Sequence, residues 1–141
     1  MDSRGPTHTE RVDGLRRSTA LDATSVSGLR SIVRRARGWT CDVRSVALDD
    51  QTGKLHVPFV ERVDRRSPSV RVIAGELIVR RVEEFVIEGA ARTRWFEFDG
   101  LAYEPITRWM SILSDGRSQF AVTVEDLDIT LRIRPQTRPQ P

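Results

Sequence analysis

From Phe120 to Ile133 the chain reads FAVTVEDLDITLRI, and its apolar side chains alternate with polar ones. Phe120, Val122 and Val124 occupy even positions; Leu127, Ile129, Leu131 and Ile133 occupy odd ones. A period of two is the mark of a strand with one apolar face. A slip of one residue moves every side chain to the other face, so Glu125-Asp126 must be a bulge or a sheet corner between two strands.

The same alternation recurs from Trp39 onward, punctuated by turn residues, and it predicts three hairpins. A four-residue loop, Asp50 to Gly53, sets Leu48 opposite Leu55, Val46 opposite Val57 and Asp49 opposite Lys54. Asp99-Gly100 is a strong hairpin signal, pairing Phe98 with Leu101 and Phe96 with Tyr103. A loop of Ser114, Asp115 and Gly116, with Gly116 left-handed, sets Met110 opposite Phe120 and Ile106 opposite Val124. Between these, residues 76–89 are open to two readings. Ile78, Val82 and Phe85 would fit a helical face, whereas the density of Val and Ile favours strands broken near Gly75 and Arg81–Glu84. Pro58 predicts an edge position for its strand.

One helix is predicted, over 27–37, where Leu29, Ile32, Val33 and Ala36 form a stripe at i, i+3, i+4 and i+7. Ser25 or Ser27 can cap its start, and Gly38 suits its left-handed end. At this length the helix needs a surface to dock on. The expected organisation is therefore a flexible polar arm over 1–24, a single β-rich domain over 25–134 with strands from about 41 to 133, and a disordered proline-rich tail over 135–141. The fold class is mainly β: an antiparallel sandwich or roll of about six to eight strands with one short N-terminal amphipathic helix.

Charge changes this picture little. The chain of 141 residues carries a net +3, but the excess lies at the start. Residues 1–38 hold eight arginines against four acidic residues, whereas 39–134 hold 14 basic against 16 acidic residues. Lys54 is the sole lysine, a skew that points to a GC-rich bacterial genome more than to phosphate recognition. No apolar run approaches the roughly 20 residues of a membrane span, and the start lacks the apolar core of a secretory signal, which gives a cytoplasmic expectation. One cysteine, Cys41, and two histidines, His8 and His56, leave too few ligands for zinc chemistry, and no cofactor is expected.

Candidate chemistry is sparse. Glu125, Asp126 and Asp128 could offer oxygens to a hard cation, but no spaced calcium-loop motif accompanies them and a structural corner accounts for them. His56 and Ser45 share a hairpin face without a nucleophile motif. No catalytic constellation is present, so an enzyme is not expected. Three surface features remain. Trp95, Glu97 and Trp109 are a candidate interface, since a tryptophan among charges resembles an interaction anchor. Arg108, expected on the apolar face opposite Val122, and Tyr103 are candidate ligand contacts. Arg108 is expected either to be buried with a carboxylate partner or to reach water at a sheet margin. Arg30, Arg34 and Arg35 are candidate phosphate contacts. The expected function is a non-enzymatic protein-interaction module, of accessory, inhibitor or immunity type, acting on another protein through an exposed sheet face. A small-ligand or carbohydrate-binding β domain and a nucleic-acid adaptor using the basic arm and helix are the alternatives.

Overall fold

The structure is a computed structural model that describes residues 8–13, 16–61, 73–88 and 94–135, with backbone alone over 8–18. The tail expected over 135–141 lies, apart from Pro135, outside the described residues. Among the described residues there are twelve strands and one α-helix: β1 (His8–Asp13), β2 (Arg16–Ala23), α1 (Val26–Ala36), β3 (Thr40–Asp42), β4 (Ala47–Asp49), β5 (Lys54–Val60), β6 (Ile73–Val79), β7 (Val82–Ile87), β8 (Trp95–Glu97), β9 (Gly100–Glu104), β10 (Trp109–Ser114), β11 (Arg117–Val124) and β12 (Ile129–Ile133). The architecture is the mainly antiparallel β fold with one helix that the alternation predicts. The larger sheet runs β1-β2-β12-β6-β5-β3-β8, with β4 also beside β5, and the smaller runs β7-β11-β10-β9.

The two sheets are joined where strands change layer. β6 passes to β7 at Arg80-Arg81, β8 to β9 at Phe98-Asp99, and β11 to β12 at Glu125–Asp128. Two of these corners are bonded to each other: Arg80 N donates to Asp128 O at 2.9 Å and Glu125 N to Arg81 O at 2.8 Å. The acidic stretch is thus a corner. Its Asp128 carboxylate meets Arg80 at 3.4 Å, and Asp126 Oδ1 accepts from Leu127 N at 2.9 Å. The phase slip turns the chain's apolar face inward in each sheet in turn, so that Phe120, Val122, Val124, Leu127, Ile129, Leu131 and Ile133 are all buried.

Several local expectations are corrected. Residues 16–23, expected in a flexible arm, form β2, which pairs with β12 from Ile129↔Ala23 to Ile133↔Thr19. Leu21 and Ala23 supply the apolar face that makes this pairing favourable, a two-residue signal hidden in a polar sequence. Asp99-Gly100 is not a hairpin: β8 pairs with β3, through Cys41↔Phe96, and β9 pairs with β10. Phe98 N still donates to Trp39 O in one layer, while Asp99 N already donates to Leu113 O in the other. The third hairpin closes on two residues, Asp115 (φ 53°) and Gly116 (φ 73°), with Ser114 opposite Arg117. A bulge between Ile112 and Leu113 then sets Met110 opposite Val122, two residues from the expected register but with the same face inward. The first hairpin keeps Leu48↔Leu55 and Asp49↔Lys54, but the ladder stops at Ala47↔His56, short of Val46 and Val57.

Of residues 76–89, 76–79 and 82–87 are in strands, and residue 89 lies outside the described residues. The break falls at Arg80-Arg81, where Arg81 takes φ 57°, and Gly75 lies inside β6. A Cβ there would strike the Arg132 carbonyl and come 3.1 Å from the Trp39 ring; glycine therefore admits the indole. Pro58 sits in an interior strand, at the interval where the neighbour of β5 changes from β4 to β3.

The core lies between the sheets, with α1 closing one end. Ser25 caps the helix, its Oγ accepting from Gly28 N at 3.4 Å, and Leu29, Ile32 and Ala36 are buried from it. Phe96 of the larger sheet meets Phe120 of the smaller edge-on at 5.3 Å, a geometry favoured by the ring quadrupoles. Phe59 packs against both Trp39 and Phe98.

Candidate functional site

The sequence-derived candidates are redistributed by the fold. Trp95 and Glu97 lie on β8 at the margin of the larger sheet, whereas Trp109 lies on β10 of the smaller one, 52% exposed. They do not share a sheet face, so the expected three-residue patch is divided. Trp95 is half-buried, with the Arg94 guanidinium 5.4 Å from its ring centroid, and Arg94 in turn bonds Asp42 Oδ2 at 3.1 Å. Partial desolvation works to raise the Asp42 pKa, but the hydrogen bonds from Arg94 and from Arg44 N outweigh it and hold the carboxyl below its ordinary value.

Arg108 is not in a strand. It ends the four-residue loop between β9 and β10 at φ 59°, exposed, with Nη1 donating to Glu125 O at 3.4 Å. Its backbone ties the loop together, Arg108 N donating to Glu104 O and accepting at its own carbonyl from Val124 N. Ile106, expected opposite Val124, stands in this loop 89% exposed. The alternation that placed both residues inward belongs to β10 only from Trp109 onward.

Tyr103 and two of the arginines are brought together instead. The edge strand β9 runs beside α1, and between them lies a groove of about 590 Å³. Its apolar part is supplied by Leu29 and Val33 of the helix with Leu101 and Tyr103 of the strand; Arg30, Arg34 and Arg37 line it from the helix. The spacing explains the selection. Positions 30, 34 and 37 fall on one stripe of a 3.6-residue helix, next to the stripe that carries Leu29 and Val33. Arg35 lies off that stripe, with its guanidinium 5.6 Å from the Trp39 ring centroid, so the three expected phosphate contacts do not act together. Arg37, missed as a site residue, is steadied by donating from Nε to Asp99 O at 3.2 Å. Arg30 and Arg34 have no carboxylate partner among the described residues.

On the strand side, Gly100, Leu101, Ala102 and Tyr103 all line the groove. Successive strand residues point to opposite faces, so four in a row mean that the backbone edge of β9 itself faces the opening. Among the described residues no strand pairs with that edge. The arginine stripe was legible in the sequence; the strand opposite it was not, because Asp99-Gly100 marks a layer crossing.

Other polar groups are engaged locally. On the outer face of the larger sheet, His56 Nδ1 meets Glu76 Oε2 at 3.1 Å, and Arg80 donates to Thr130 Oγ1, which in turn donates to Asp22. Cys41 is buried, and burial, helped by the Asp42 charge, raises its thiol from 9.0 to about 12, away from the thiolate needed for nucleophilic chemistry. Among the described residues no three His, Cys, Asp or Glu side chains form a metal-binding group, and no helix is long and apolar enough to cross a membrane. The chain matches no protein-family model, no curated protein and no solved structure.

Proposed function

We propose that this protein is a non-enzymatic interaction module, of accessory, inhibitor or immunity type, that binds another protein. The observation that supports this reading is the outer backbone edge of β9, with which no strand pairs among the described residues, beside a groove with an apolar base and two arginines, Arg30 and Arg34, that have no carboxylate partner among those residues. Edge strands present a row of unsatisfied N–H and C=O groups, and proteins generally cover or blunt them unless they are used. The docking surface moves accordingly from the Trp95, Glu97 and Trp109 patch to the helix–strand groove.

The competing small-ligand reading draws on the groove's volume, which falls in the range of ligand pockets. The two are separated by recovering the tagged protein from its native cells. A stoichiometric protein partner is expected, and its retention should fall at least tenfold for Tyr103→Ala while Trp109→Ala leaves it unchanged. A co-purifying small molecule released by denaturation, with no protein partner, would reject the reading.

A further inference from the structure

Resting on that reading, we infer that the partner presents an extended acidic segment, which adds as a strand to the edge of β9 that is unpaired among the described residues and sets its carboxylates against Arg30 and Arg34. Three features of the groove select this occupant. First, the five-residue edge of β9 offers main-chain donors and acceptors in the rhythm that only another extended peptide can match. A nucleic-acid strand would meet the same arginines but leave those backbone groups and the Leu29, Val33 and Leu101 surface without complement. Second, the guanidinium groups sit on one side of the groove, at i and i+4 on α1. A strand lying along β9 directs alternate side chains to one face, so acidic residues two apart would face that stripe while the residues between face away. Third, charge complementarity points outside the chain. Of the stretches beyond the described residues, 62–72 carries Arg62, Arg65, Arg66 and Arg71 against Asp64, 89–93 carries Arg92, and 136–141 carries Arg138. Residues 1–7 balance Arg4 with Asp2. None has the net negative charge that the groove calls for.

A second copy could offer the acidic strand β7, with Glu83 and Glu84. However, Val82 N at its head already donates to Gly53 O at 2.9 Å, so that edge is not open along its length. An external acidic peptide is the better match.

The test uses the intact protein and a displayed library of random dodecapeptides. Enriched sequences should be rich in Asp and Glu alternating with apolar residues, and should bind less tightly as salt rises. Binding of the best synthetic peptide should weaken about tenfold or more in an Arg30→Gln, Arg34→Gln double variant, the exposed pair contributing modestly per residue. Both positions are exposed and glutamine favours helix, so an unchanged melting temperature should accompany the loss; Arg35→Gln should bind as the wild type does. Hydrogen exchange should show new protection over 100–104. Failure to enrich any peptide, enrichment of neutral or basic ones, or protection outside β9 would overturn the inference. So would tighter, arginine-dependent binding of a 20-nucleotide single strand, or protection of β9 that appears with protein concentration alone. A native partner that is captured through Tyr103 but ignores the double variant would defeat the acidic-strand inference and leave the interaction-module reading standing.

Discussion

Cys41 lies on β3 with no exposed surface, between Phe96 on β8 and the core. Its thiol is raised to about 12, first by burial and then by Asp42, against a lowering hydrogen bond with Ser45. The folded protein therefore keeps a proton that the unfolded chain releases. This contribution is complete below the ordinary thiol value of 9.0 and is lost as pH rises from there toward 12, with a slope approaching about 1.4 kcal/mol per pH unit. Urea unfolding at pH 8, 9.5 and 10.5 should show this decline, and Cys41→Ala should flatten it. Equal slopes in the two proteins would show that Cys41 is not its source. Asp42, the neighbour that raises the thiol, is itself lowered by Arg94 and Arg44, so one short strand carries two opposite shifts for two different reasons. Cysteine is shifted because it faces the core, and aspartate because it faces a cation.

At the scale of the element, α1 has two jobs on adjacent stripes. Leu29, Ile32 and Ala36 dock it on the sheets, while Arg30, Arg34 and Arg37 are left along the groove. Only the first stripe bears stability. Ile32→Ala should cost about 2–5 kcal/mol through lost burial and a residual cavity, whereas Arg30→Ala should stay within about 0.5 kcal/mol of the wild type. Chemical denaturation of both variants checks this, and a comparable loss at Arg30 would mean that the groove is part of the core. The strands show a similar separation of duties. β8 and β9 are neighbours in sequence yet belong to different sheets, and the hydrogen bonds of Phe98 and Asp99 mark the change residue by residue.

Taken whole, the molecule is two sheets sharing one core. Phe98 stands at a layer crossing, 1% exposed and 5.2 Å from Phe59 by ring centroids. Phe98→Ala should lower stability by about 3–5 kcal/mol and weaken both sheets together. Tryptophan fluorescence and far-ultraviolet circular dichroism should follow one coincident transition in the wild type and the variant. Two separated transitions would show that the layers fold independently.

Local pattern determined much of this. Alternation placed Phe120 through Ile133 inward and located the corner at Glu125-Asp126; the Leu29–Ala36 stripe located the helix; Gly53 and Gly116 located two turns. Those features depend on neighbours within one or two turns of chain, which the sequence displays directly. The tertiary structure alone decided which strand pairs with which. Asp99-Gly100 has the chemistry of a hairpin, but Phe96 meets Cys41 and Phe120, and the burial of those three side chains outweighs a local turn preference. Arg108 read as a strand residue because periodicity does not register a loop that ends in the left-handed region. The groove followed from the same long-range choice: its arginines are written along one helix, but the edge strand that completes it comes from the far side of a layer crossing some seventy residues away.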